Sequence, residues 1–141
     1  MRVVKIKKLY NGFKHPFKKH ATDACYDVYA TSKDDLGDGR IKYGLGFSAE
    51  LPEGTRLDLR SRSSIHKTGL ILSNSIGTGD EGYTGEYMAV FYHVIPTLPP
   101  YEVGDRILQI HVENVNQIEF EEVDELSQTE RGNGGYGSTG K

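Results

Sequence analysis

Apolar positions along the 141-residue chain recur mostly with period two. Val4 and Ile6 alternate with Val3, Lys5 and Lys7, a strand signal. The stretch Arg40–Glu50 is strand-like and runs into Leu51-Pro52-Glu53-Gly54, a turn signal. Thr55 to Arg60 then alternates cleanly. Met88, Val90, Tyr92 and Val94 alternate with Tyr87, Ala89, Phe91 and His93, so both faces are largely apolar and a fully buried strand is expected. Leu108, Ile110 and Val112 alternate with Gln109, His111 and Glu113. Turn clusters fall at Asp35–Arg40, Gly77–Gly82 and Pro96–Gly104, and Gly77–Glu86 reads as a hairpin between two strand-like runs. No helical period persists beyond about two turns. Many short strands with Gly/Pro turns predict an all-β fold, a jelly-roll-like sandwich or barrel.

Composition narrows the class. The length suits one domain with its own core. A single Cys excludes an intramolecular disulfide framework and fits a reducing compartment. No run of about 18 apolar residues is present, so no helical membrane span is expected. MRVVKIKKLY has too short an apolar core for a secretory signal. The expected location is therefore the cytoplasm, or the nucleus or a virus-infected host's cytosol, and not outside the cell. A net charge of −3 argues against general nucleic-acid binding but allows a small anion held by a few arginines. Basic residues gather at Arg2, Lys5, Lys7, Lys8, Lys14, Lys18 and Lys19, and acidic ones at Glu119, Glu121, Glu122, Asp124, Glu125 and Glu130. Both read as solvated surface, with the two ends able to attract one another within an oligomer. The tail RGNGGYGSTGK is glycine-rich, and its ordering entropy predicts a mobile arm over 131–141 attached to a β domain over 1–130.

Several patterns carry chemistry. The tail's Gly135–Lys141 matches the first part of a P-loop, but a P-loop presents a following helix to phosphate and none follows. The amides of Gly137–Gly140 with the Ser138 and Thr139 hydroxyls can still wrap a phosphate once ordered. Arg60-Ser61-Arg62-Ser63-Ser64 closes an alternating strand with two guanidiniums and three hydroxyls, donors suited to phosphate oxygens. Alternation puts Arg60 and Arg62 on one face and Ser61 and Ser63 on the other, so both sets serve one ligand only if the strand ends there. Asp80, between glycines, reads either as a turn-former or as a general base aimed at water. Tyr83 is either core filler or a flat platform for a ring. The five His and the lone Cys25 show no zinc spacing, and no nucleophile elbow appears.

Five segments, in order, resemble the motifs of the trimeric dUTPase (deoxyuridine triphosphate nucleotidohydrolase) family. Ala24-Cys25-Tyr26-Asp27-Val28-Tyr29-Ala30 is similar to A-G-Y-D-L-Y-A. Ser61-Arg62-Ser63-Ser64-Ile65 is similar to P-R-S-G/S-L, and Gly77–Glu86 to G-x-I-D-x-D-Y-x-G-E. Gly104–Ile110 resembles G-D-R-I-A-Q-L, and Arg131–Gly140 resembles R-G-x-x-G-F-G-S-T-G. Each motif is weak alone; the ordered set spans nearly the whole chain and is highly specific.

The resemblance implies a jelly-roll homotrimer with active sites shared between subunits, hydrolysing dUTP to dUMP and pyrophosphate with Mg²⁺ on the triphosphate. By motif position, Asp80 activates water for attack on the α-phosphorus. Tyr83 packs on the deoxyribose and rejects a 2′-hydroxyl. The backbone of the 74–85 hairpin, including Gly77 and with Asn74 at its mouth, reads uracil. Arg62, Ser63, Ser64 and Gln109 hold phosphate oxygens, and Asp27 is linked to the metal region through water. Tyr136 stacks on uracil as the arm closes, with Arg131, Gly137, Ser138 and Thr139 toward the phosphates.

The chain departs from the pattern at Cys25, where the motif has Gly, and at Tyr136, which keeps a stacking face. Gly79 replaces Ile and Gly82 replaces Asp, which is expected to loosen the base-reading hairpin. A sister family, the dCTP deaminases, or a bifunctional member of the same superfamily, is the alternative, because Arg62-Ser63-Ser64 and Asp80–Gly85 also resemble the deaminases' R-S-S and D-P-G-F-x-G segments. Against it, no carboxylate occurs in Tyr87–Phe91, and His66-Lys67 stands where an Arg is expected. A nucleotide-binding regulator is the non-enzymatic alternative.

Overall fold

A computed structural model of the chain describes residues 2–140. Among them, ten strands follow in order: β1 (Lys5–Lys8), β2 (Tyr26–Tyr29), β3 (Ser32–Gly37), β4 (Arg40–Gly44), β5 (Phe47–Glu50), β6 (Thr55–Ser61), β7 (Leu70–Leu72), β8 (Gly77–Gly79), β9 (Met88–His93) and β10 (Arg106–Asn114). A short 3-10 helix, Ser63–Lys67, joins β6 to β7. One sheet has the order β2-β10-β6-β8, a second β3-β4-β9-β7, and β1 pairs with β5. All these pairings are antiparallel, as expected of a jelly-roll-like sandwich.

Alternation builds the core. Leu57 and Leu59 of β6 and Leu108 and Ile110 of β10 face Ile41, Tyr43, Ala89, Phe91, Leu70 and Leu72 from the second sheet. Burying each large apolar side chain contributes about 1.5–3 kcal/mol. Ile107 and Leu108 are both fully buried although adjacent, because the ladder to β2 shifts register between Arg106 and Leu108. Tyr43 crosses Phe91 and Tyr101 edge-on, and its hydroxyl donates to the Tyr101 carbonyl at 2.9 Å. Burial pushes the Tyr43 hydroxyl far above its ordinary pKa, helped by Glu102 and Asp105.

The structure corrects three sequence expectations. Arg40–Glu50 is two strands in different sheets, broken at Gly46. Gly46 takes φ +72°, and a Cβ there would lie 2.6 Å from Thr31 Cγ2, so the corner needs glycine twice over. β9 is buried on one face only: Ala89 and Phe91 point into the core while Met88 and Tyr92 are exposed. Gly77–Glu86 is not a hairpin. Gly77–Gly79 pairs with β6, and the following loop carries the chain across to β9 in the other sheet.

Candidate active site

Several of the candidate residues gather where β6 ends. Arg60 and Arg62 do not share a face, because the ladder stops at Ser61. The Arg62 carbonyl accepts the Ile65 N–H at 3.1 Å and opens the 3-10 helix. Arg60 turns to Asp58, donating from Nη2 at 3.0 Å, while Arg56 Nε donates to the other Asp58 oxygen at 2.9 Å. Asp58 is buried, and burial raises its carboxyl pKa. The hydrogen bonds and charges of Arg56 and Arg60 outweigh that, so the net position is below the ordinary carboxylate value.

Arg62 turns instead to Asp27. Its Nε donates to Asp27 Oδ1 at 3.0 Å, and its Nη1 donates to the Arg106 carbonyl at 3.2 Å and to Ser64 Oγ at 3.3 Å. Arg106 Nη1 donates to Asp27 Oδ2 at 3.1 Å. Gln109 lies opposite Asp27 in the β2–β10 ladder, and its Nε2 donates to the Ser61 carbonyl at 2.9 Å. Ser63 is exposed on the first turn of the 3-10 helix. Two guanidiniums around one carboxylate leave a net positive, pre-oriented cradle suited to an anion.

Sequence reasoning did not single out Arg106 or Tyr101. Arg106 lay in a quoted motif, as the basic residue opening the β10 pattern. Tyr101 follows two prolines in a turn segment, with no periodicity to reveal its burial. Its hydroxyl is buried without a hydrogen-bond partner among the described residues. Burial raises its pKa, with the Arg62 charge beside it acting in the opposite direction.

Among the described residues, no three His, Cys, Asp or Glu side chains cluster to hold a metal. Both Asp27 oxygens already accept from guanidiniums. Such a donor set offers no unpaired carboxylate oxygen for direct coordination and fits a metal ion carried mainly by phosphate oxygens and waters.

A second group surrounds β8. Gly77 and Gly79 pair with Leu59 and Leu57. Asn74 and Gly77 are neighbours: a Cβ on Gly77 would lie 3.5 Å from Asn74 Nδ2. Asp80 follows the strand, exposed, and its carbonyl accepts the Tyr83 N–H at 3.0 Å. Tyr83 is 41% exposed, its hydroxyl donates to the Glu86 carbonyl at 2.7 Å, and its ring meets Tyr87 edge-on at 5.4 Å. It is thus a half-open platform rather than core. The glycine departures differ in kind. Gly82 has open space around it, but Gly79 is packed against the Tyr87 ring and is not a loose point.

One chain does not bring these groups together. Gly79 pairs with Leu57 near one end of β6, and Arg62 stands beyond the other end. At about 3.3 Å per residue, Leu57 and Arg62 are roughly 17 Å apart. The arm joins neither group. Beyond the Val115 N–H, which donates to the Gly54 carbonyl at 2.8 Å, no described hydrogen bond ties the segment to the sandwich. Arg131, Tyr136, Ser138 and Thr139 are exposed, and Arg131 Nε donates within the arm to the Gly134 carbonyl at 3.0 Å.

A deoxyuridine 5'-triphosphate nucleotidohydrolase of Corynebacterium diphtheriae is 39% identical over 141 residues, covering 98% of this chain and 93% of that one. Two solved structures share the fold. A variant of the Staphylococcus bacteriophage 80alpha dUTPase with dUpNHpp superposes with TM-score 0.86 at 24% identity over 100% of both chains. A variant of the dUTPase from phage phi11 of S. aureus, described with a structural Mg(II) ion, superposes with TM-score 0.73 at 20% identity, covering 87% of this chain and 97% of that one. The dUTPase family model matches residues 11–140, and with that full-length relative it shows that the chain belongs to the dUTPase family of nucleotidohydrolases.

Proposed function

We propose that the protein hydrolyses dUTP to dUMP and pyrophosphate at sites shared between the subunits of a homotrimer. The observation that carries this reading is the separation along β6. The proposed base and sugar platform lie beside one end, and the Arg62–Asp27–Gln109 cradle lies at the other. With Leu57, opposite Gly79, and Arg62 roughly 17 Å apart along the strand, the Asp80 that follows Gly79 does not reach the cradle of its own chain to act on one α-phosphorus. Joining the β8 group of one copy to the cradle of a second makes a whole site. The third copy then supplies the arm. The segment before the arm supports assembly, since Ile118, Phe120 and Leu126 are highly exposed in the single chain.

In such a site Asp80 accepts a proton from water, whose oxygen attacks the α-phosphorus. The bond to the β-phosphate oxygen breaks and pyrophosphate leaves. A positioned base contributes about 10²–10⁴-fold. Arg62, Ser63, Ser64 and Gln109 hold phosphate oxygens, and the Asp27–Arg106 contact holds Arg62 in place, since phosphoryl transfer depends on positioning and charge neutralisation. Bound Mg²⁺ would lower the charge on the triphosphate, with Asp27 facing it through water. Backbone around Asn74 and Gly77 faces uracil, and Tyr83 packs on the deoxyribose. The arm 131–141 closes with Tyr136 on the base and Arg131, Gly137, Ser138 and Thr139 toward the phosphates, excluding water.

The test is to incubate the protein with Mg²⁺ and either dUTP or dCTP and resolve the products. dUMP and pyrophosphate from dUTP alone support the proposal. Ammonia and dUTP from dCTP would replace it with the deaminase. No product from either would leave a nucleotide-binding regulator.

A further inference from the structure

Tyr87 belongs to none of the motif positions assigned above, yet it lies against Tyr83 and against the glycine that precedes Asp80. Its side chain is 3% exposed beside an otherwise exposed loop. Its backbone is pinned twice: the N–H donates to the Phe47 carbonyl at 3.0 Å, and the carbonyl accepts the Leu45 N–H at 3.0 Å. The preceding Glu86 carboxylate accepts the Gly46 N–H at 3.1 Å. The ring lies tilted on Phe47 at 5.4 Å and edge-on to Tyr83 at 5.4 Å. Its far edge crosses the backbone of Gly79, where a Cβ would stand 2.5 Å from Tyr87 Cε1 and 3.0 Å from its hydroxyl. A side chain at 79 and the ring at 87 therefore exclude one another.

The rest of the loop is held lightly. Tyr83 bonds only within it, and the Glu81 carboxylate accepts the Gly54 N–H at 2.8 Å at the surface. One rigid ring, footed on the core, thus touches both the peptide that leads into Asp80 and the ring of Tyr83. We propose that Tyr87 is the positioning residue of the β8 group, filling the volume left by Gly79 and setting the relative placement of Asp80 and Tyr83. This rests on the roles proposed above for those two residues. The buried Tyr87 hydroxyl has no hydrogen-bond partner among the described residues, so these contacts are packing contacts.

The test is a double-mutant cycle on the full chain. kcat and KM for dUTP with Mg²⁺ and the thermal midpoint are measured for wild type, Gly79→Ile, Tyr87→Ala and the double variant. Each single change should lower kcat by about 100-fold, the scale of a misplacement near 1 Å. In the double variant the isoleucine side chain introduced at position 79 fills the space that the ring at position 87 vacates, and kcat should recover at least about tenfold over either single variant. Tyr87→Phe keeps the ring and should exceed Tyr87→Ala in kcat by at least about tenfold. Gly79→Ala, whose Cβ meets the same atoms, replaces any single variant that fails to fold. Losses that simply multiply in the double variant would overturn the proposal, as would wild-type kcat in Gly79→Ile. Wild-type protein that leaves dUTP intact would instead remove the function proposed above. Coupling of 79 to 87 seen only in thermal midpoints would then mark the pair as structural and end the positioning role.

Discussion

Truncation after Glu130 removes Arg131, Tyr136, Ser138 and Thr139 while leaving every strand in place. The backbone hydrogen bonds lost are those of Gly132 to Thr129 (3.1 Å), Gly134 to Arg131 (3.1 Å), Ser138 to Gly135 (3.1 Å) and Gly140 to Gly137 (2.9 Å). All are local turns among exposed residues, so folding stability should change by less than about 0.5 kcal/mol. The loss at the site is larger. A charge-assisted bond from Arg131 to phosphate contributes about 1.5–3 kcal/mol, and stacking of Tyr136 on a base about 1–3 kcal/mol. Ordering a glycine-rich arm offsets part of that sum. A net of about 3–4 kcal/mol corresponds to a 10²–10³-fold fall in kcat/KM at about 1.4 kcal/mol per decade. Pyrophosphate release from dUTP measures the first quantity and urea unfolding the second. A truncated protein with unchanged kcat/KM refutes the closing arm. One with a clearly lower urea midpoint refutes the separation of arm from sandwich.

Asp80→Ala should lower kcat by about 10²–10⁴-fold while dUpNHpp binding, read by calorimetry, is retained; binding lost in parallel would make Asp80 a turn-former. Asp58 has a folded pKa below its unfolded value of about 3.9, so its contribution is fully present above that pH and is lost as pH falls through the folded value. Urea midpoints of wild type should therefore fall below about pH 4 more steeply than those of Asp58→Asn; equal slopes would refute the assignment. Gly46→Ala should destabilise by about 1–3 kcal/mol, from left-handed backbone and the Thr31 contact. Gly82→Ala, with open space around it, should change stability by less than about 1 kcal/mol, and similar losses at both would refute the distinction.

Period-two alternation by itself determined the fold class and most of the core. Leu57, Leu59, Leu108 and Ile110 face inward because a pleated strand alternates its side chains, whatever lies opposite. The motif residues were legible for the same local reason: Arg62, Asp27, Gln109, Asp80 and Tyr83 each stand in a recognisable short run. What those runs do not contain is distance. Gly77–Glu86 has every local mark of a hairpin, yet β8 pairs with β6, because strand pairing is set by which edge is free in the folded sheet. Arg60 and Arg62 part company because the β6 ladder stops at Ser61, and each then finds a different carboxylate, Asp58 or Asp27. Arg106 and Tyr101 entered the cradle only once β10 lay against β2 and the 96–104 turn folded back toward it. Tyr87 over Gly79 is a contact between residues eight apart whose complementarity exists only in space. Sequence alone determined which chemical groups are present and which face of a strand each takes. Tertiary structure decided which of them meet, because long-range packing, not local propensity, sets the separation of Asp80 from Arg62.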